Sequence, residues 1–138
     1  MPTVTAQYLG NLRVACVHEA SGTRIITDAP VDNHGKGEAF SPTDLCATAV
    51  ATCAMTIIGL YAQNHALNVD GTKIDIAKVM NAHPRRIGEI RITFIMPDNN
   101  YSDKDKQSIE RAAHTCPVHL SLHPDVVQSF IFQWADQA

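Results

Sequence analysis

The chain has 138 residues, 45% of them hydrophobic, and a formal net charge of −3; that size and balance suit one domain with one core. Its eleven Lys and Arg are scattered and never form a run, so nothing in the charge pattern attracts nucleic acid or an anionic membrane. The opening MPTVTAQYLG has no basic region followed by an apolar stretch; it does not read as a signal peptide, and a cytoplasmic protein is the expectation.

Leu12 to His18 reads as a first strand, Ser21-Gly22 as the turn after it, and Arg24 to Asp28 as a second strand pairing back. Ala29 to Ala39, with Pro30, Gly35 and Gly37, is a loop. Ser41-Pro42-Thr43-Asp44 starts a helix: Ser41 can cap, Pro42 suits the first helical position, and Asp44 favours the positive end of the dipole. The helix is expected to run to about His65. Its segment Leu45 to Ala62 carries no charge and is about as long as a membrane span. It is rich in Ala, Thr and Cys and lacks flanking Lys/Arg or Trp/Tyr anchors, so it reads as a helix buried on most faces at the centre of a soluble fold.

Thr72 to Met80 alternates around Ile74 and Ile76, as a strand does. Asn81 to Arg86, with Pro84, reads as a hairpin connection. In Gly88 to Met96, Ile90, Ile92, Phe94 and Met96 share one face, with Glu89, Arg91 and Thr93 on the other. Ser102 caps a second helix with Asp103 and Asp105 in its first turn. Ile109, Ala112, Ala113 and Cys116 lie on one stripe of it, and Pro117 ends or kinks it. Val118 to Leu122 forms a short helical turn. Val126 to Trp134 is a last strand with Phe130, Phe132 and Trp134 on one face. No internal repeat or linker divides the chain, and the outline is a single α+β domain over residues 1–138. One buried helix plus long hairpins leaves apolar faces uncovered, so a homodimer is expected.

Chemistry concentrates on the four cysteines, Cys16, Cys46, Cys53 and Cys116. In a reducing cytoplasm they do not read as a disulfide framework, and no CxxC pair offers a zinc knuckle or a thioredoxin-like motif. They are either buried, inert thiols or a reactive pair brought together by folding. Cys53 lies about three turns into the apolar helix, too far for its dipole to help, and burial would raise its pKa. If it is reactive, a cation must reach it. Cys116, placed at the C-terminal end of the second helix, meets a dipole that disfavours the thiolate. Cys53 is therefore assigned the first attack and Cys116 the resolving role. Cys46 lies one heptad before Cys53 and reads as a bystander; Cys16 reads as structural. His114, His119 and His123 crowd Cys116 in sequence, but Pro117 bends the chain and no second tight ligand pair occurs. No metal is expected; one of these histidines could donate a proton or modulate a thiol. No GxGxxG, P-loop or GxSxG motif is present.

SPTDLCATAVATC (41 to 53), IGEIRITFIMP (87 to 97) and AAHTCPVHLSLHPDV (112 to 126) together resemble the OsmC/Ohr family of osmotically inducible and organic hydroperoxide resistance proteins, in its broader OsmC-like branch. The resemblance covers nearly the whole chain. It implies an OsmC-like fold of antiparallel sheets around a central buried helix, an intertwined homodimer, and active sites at the subunit interface. It also implies a thiol peroxidase that prefers organic hydroperoxides, with Cys53 peroxidatic and Cys116 resolving. No bound cofactor is implied; the reductant is an external dithiol such as a lipoylated protein. In the best-studied branches a Glu in the helix-start motif orients a catalytic Arg, but this chain has Thr43 there. For the Arg the candidates are Arg24, which sits beside the first turn, and Arg13. The rival readings are a redox sensor and a non-catalytic protein binding an apolar ligand.

Overall fold

In the computed structural model, which describes residues 1–137, two compact units are distinguished: Met1–Cys46, and the chain from Ala47 onward. The boundary falls inside the long first helix.

The first unit holds an antiparallel sheet of β1 (Val4–Gly10), β2 (Arg13–His18) and β3 (Arg24–Asp28), in the order β1-β2-β3. β2 and β3 fall where the sequence places them. The sequence gives no signal for β1, whose residues are exposed up to Gly10, so no apolar face announces it. Its turn into β2 runs through Gly10, Asn11 and Leu12, all at positive φ. Ser41 caps α1 (Pro42–Asn64) as expected: its hydroxyl accepts from the Asp44 N–H at 3.1 Å, while the Asp44 carboxylate accepts from the Ser41 N–H at 3.0 Å. Two donors left unpaired by the helix start are thus satisfied reciprocally, as in a capping box with Asp in place of Glu.

The second unit contains the rest of α1, then β4 (Lys73–Ala82), β5 (Arg85–Ile95), α2 (Asp103–Ala113), α3 (Pro117–Ser121) and β6 (Val127–Gln133). β4 and β5 are longer than expected because both strands continue up to the two-residue turn at His83-Pro84. The sheet order is β4-β5-β6. The wholly antiparallel sheet expected from the sequence does not form here. β4 pairs antiparallel to β5, but β6 pairs parallel to it, so this sheet is mixed. The cause is the connection: a parallel neighbour needs a long crossover, and α2 and α3 supply it between Met96 and Val126.

The core lies in this second unit. Val50, Ala51, Ala54 and Ile58 of α1 are buried with Ile90, Ile92 and Phe94 of β5 and with Ile109 and Ala113 of α2. Alanines at 47, 51, 54 and 62 let the neighbouring elements approach closely. Each large side chain sealed here contributes roughly 1.5–3 kcal/mol. α1 is long and apolar enough to cross a membrane, with a mean hydropathy of 1.8 over its most apolar window. Its buried stripe has the packing of a core helix. Burial on most faces does not hold, however: Ala49, Thr52, Thr56, Leu60 and Gln63 form an exposed stripe. The hydroxyls of Thr52 and Thr56 turn back to the carbonyls of Thr48 and Thr52.

Candidate functional site

Cys53 and Cys116 are 63 positions apart in sequence, and the fold of the second unit brings their side chains within hydrogen-bonding reach of each other. Both are free thiols. α1 presents Cys53 at the margin of its buried stripe, where it is half-buried and packs against the core. Cys116 is fully buried.

The electrostatics of Cys116 differ from the sequence expectation. α2 ends at Ala113 with His114 as its C-cap, so Cys116 is not on that helix. The residue before a proline leaves helical geometry, and Cys116 is extended (φ −70°, ψ 142°) and becomes the N-cap of α3, with Pro117 in the first turn. Its Sγ accepts the His119 N–H at 3.3 Å. Burial pushes the Cys116 thiol up, the His119 and Val118 amides pull it down, and the adjacent Cys53 raises it further; the net direction is upward. Cys116 is thus disfavoured as a thiolate, as expected, but through burial and its neighbouring thiol instead of a helix dipole.

One layer out, His119 is held at two points by Gln128 of β6. Its Nδ1–H donates to Gln128 Oε1 at 2.7 Å, and Gln128 Nε2 donates to the His119 carbonyl at 3.0 Å. The rings of His114 and His119 both pack against Phe130, with centroids at 4.8 and 5.3 Å. The three neighbouring histidines use their ring nitrogens on separate partners: His114 Nδ1 donates to the Glu110 carbonyl, His119 binds Gln128, and His123 Nδ1 accepts from the Asp125 N–H. Among the described residues no group of three or more His, Cys, Asp or Glu is arranged to hold a metal. Gln128 escapes sequence reasoning. Its signal was its place, two before Phe130 on the inward face of β6, where an apolar residue is the default.

The remaining candidates lie in the first unit. Cys16 on β2 and Cys46 in the first turns of α1 are half-buried. Arg24 opens β3 and is exposed. Arg13 on β2 grips the buried carboxylate of Asp28 at two points, 2.6 and 2.8 Å, and also reaches Glu38 at 3.0 Å. The Glu38 N–H completes the shell around Asp28, whose carboxyl is held below its ordinary value chiefly by the hydrogen bond from Arg13.

Residues 35–129 match the family of OsmC-like proteins. A crystal structure from Psychrobacter arcticus, provisionally described as an osmotic stress induced and detoxification response protein, is 46% identical with a TM-score of 0.92, covering 96% of each chain. An OsmC-like protein from Mycoplasma pneumoniae (15% identity, TM-score 0.78, covering 95% of this chain and 94% of that one) shares the fold. So does an organic hydroperoxide resistance protein from Legionella pneumophila (15%, 0.74, 94% of each). A comparison with curated protein sequences finds no match.

Proposed function

Because this chain belongs to the family of OsmC-like proteins, we propose that it is a thiol peroxidase that reduces organic hydroperoxides through Cys53 and Cys116. The observation that carries the reading is the meeting of these two thiols, one half-buried and one sealed, from distant parts of the sequence. Family membership supports redox chemistry of this class.

In the first step the Cys53 thiolate attacks the outer oxygen of the hydroperoxide. An S–O bond forms, the O–O bond breaks, and the leaving alkoxide takes a proton and departs as alcohol. In the second step Cys116 loses its proton and attacks the Cys53 sulfenic sulfur; the S–S bond forms and the hydroxide leaves as water. An external dithiol, for which a lipoylated protein is a suitable class, then returns both thiols by exchange and is itself oxidised to a disulfide. Thiolate formation at Cys53 needs a cation, and we assign that role to Arg24, with Arg13 as the rival. Arg13 already satisfies two carboxylates, which favours Arg24.

The family match crosses the boundary between the two units, which supports treating the chain as one OsmC-like domain. Tyr8, Leu9, Leu12, Ile25, Ile26 and Phe40 of the first unit are exposed, and they support a homodimer in which a second copy covers such surface.

Stopped-flow turnover with cumene hydroperoxide and dihydrolipoamide is the test. Wild-type protein should turn over repeatedly and Cys53→Ser should be inactive; with peroxide alone and no added dithiol, Cys116→Ser should consume one equivalent and hold a sulfenic acid at Cys53 by mass spectrometry. A single oxidation without turnover in the wild type would make the protein a redox sensor. Full activity in Cys53→Ser would remove the reading. Arg24→Ala should slow the first step by at least tenfold, and an unchanged rate would transfer the role to Arg13.

A further inference from the structure

We propose that Gln128 is a positioning residue for the resolving step: by clamping His119 at two points, it holds the His119 amide on Cys116 Sγ and so sets where that sulfur sits and how readily it loses its proton. The inference rests on the peroxidase reading above.

The chain of contacts is short. Gln128 stands on β6 opposite Ile90, on the face of the sheet that packs into the core. Its amide donates to the His119 carbonyl and accepts from the His119 ring, so both the main chain and the side chain of that residue are fixed. The two bonds also assign each other. With Nε2 committed as donor to a carbonyl, Oε1 must accept, and His119 must carry a proton on Nδ1. The N–H of this doubly held residue is the one that points at Cys116 Sγ. A hydrogen bond to a thiolate is stronger than one to a thiol, so fixing the donor favours the ionised sulfur that attacks the sulfenic acid.

Glutamine suits the task because it donates and accepts at every pH without adding charge. A carboxylate would place a negative charge beside the forming thiolate, and a lysine could not accept from the ring. The titratable groups that reach Cys116 are Cys53 from α1 and His119 from α3, whose ring meets that of His114 at the end of α2. On the inward face of the sheet, β5 contributes the apolar Ile90, Ile92 and Phe94 to the core, and Lys78 of β4 lies one strand beyond, opposite Ile90.

The step affected is the second one. Cys116 sulfur bonds to Cys53 sulfur, the S–O bond breaks, and the proton lost by Cys116 leaves with the hydroxide as water. Attack on the peroxide needs neither Gln128 nor His119.

Gln128→Met keeps length and shape and loses both bonds. In a Cys53→Ser background, labelled with carbon-13 at cysteine Cβ, the apparent pKa of Cys116 should rise by about half a unit to one unit. That is the three- to tenfold change carried by a weakened hydrogen bond to charged sulfur. In the full chain, stopped-flow kinetics should show Cys53 oxidation within about twofold of wild type. Disulfide closure should be slowed by a similar three- to tenfold, with its pH midpoint moved upward. Gln128→Glu, which keeps the acceptor but loses the donor and adds charge, should move the midpoint further and serves if the Met variant folds poorly. An unmoved Cys116 titration overturns the proposal, as does equal slowing of both steps without a pH shift. If wild-type protein forms no Cys53–Cys116 disulfide with peroxide, the peroxidase reading fails, while the Cys116 titration still decides whether Gln128 positions that sulfur.

Discussion

Oxidation should make this protein more stable, by an amount that the positions of Cys53 and Cys116 fix. A bond between them closes a loop of 63 positions. On the chain-entropy account this removes about 4 kcal/mol worth of freedom from the unfolded chain. Against it stands the loss of the thiol as N-cap of α3: a disulfide sulfur is a weaker acceptor for the His119 N–H, now at 3.3 Å, and a lost cap costs about 1 kcal/mol. The net expectation is a gain of about 3 kcal/mol. With a urea slope of roughly 1–3 kcal/mol per molar, that gain moves the unfolding midpoint upward by at least about 1 M. The assay is a pair of urea titrations at pH 7, one on protein kept reduced and one on protein oxidised with a single equivalent of hydroperoxide, followed by far-ultraviolet circular dichroism. Cys116→Ser treated in the same way isolates the bond and should show no gain. Equal midpoints for oxidised and reduced wild type, or the same increase in Cys116→Ser, would refute the reasoning.

Phe94 is sealed in the core, stacked on Phe132 and edge-on to Phe130. Phe94→Ala should cost about 3–5 kcal/mol, measured as a shift in urea midpoint at unchanged slope. The Asp28 carboxyl is held below its unfolded value of 3.8 by the Arg13 hydrogen bond, so its contribution is whole above about pH 4 and drains away as pH falls through the lower folded value. Melting temperatures of wild type and Asp28→Asn should therefore differ at pH 6 and converge towards pH 2; a constant gap would contradict the linkage. Cys116 behaves in the opposite sense. Its folded value lies above the unfolded 9.0, so the unfolded chain loses that proton first and stability falls as pH rises past 9. Reduced wild type should lose melting temperature more steeply than Cys116→Ser between pH 8 and 10.

The parts of the fold that periodicity announces were legible in the sequence. Ile90, Ile92 and Phe94 alternate because one face of β5 is buried, and the structure buries those three. The caps at Ser41 and Ser102 were legible because a hydroxyl before a helix has one good use, and both hydroxyls accept the backbone N–H three residues on. β1 was not legible, since a strand exposed on both faces carries no alternation to read. Nor was the parallel placement of β6: its side-chain pattern is the same in either direction, and only the crossover decides. At the site, helix position and burial suggested the roles of Cys53 and Cys116, but spacing alone carries no information over 63 positions, and it was the family resemblance that implied their meeting. The error over Cys116 had a local cause. A residue one step before proline can end one helix or begin the next, and sequence favours the longer helix; the backbone at ψ 142° starts the shorter one.

On the proposed peroxidase reading, that reassignment alters how the two thiols divide the work. With Cys116 at the end of α2, both the helix and burial would have opposed its ionisation, and nothing would have assisted the second step. As the cap of α3 it sits where burial resists the charge and two amides accept it. Such a sulfur is a poor first nucleophile, being protonated and shielded from a dissolved peroxide. It becomes a competent second one once the sulfenic acid lies within its reach, because the donors are already aimed and need no rearrangement. Cys53, half-buried on the margin of α1, has the complementary position: it is the more accessible of the two sulfurs to a dissolved peroxide. The proposed order of attack therefore draws on exposure and hydrogen bonding together, and either one alone would leave it ambiguous.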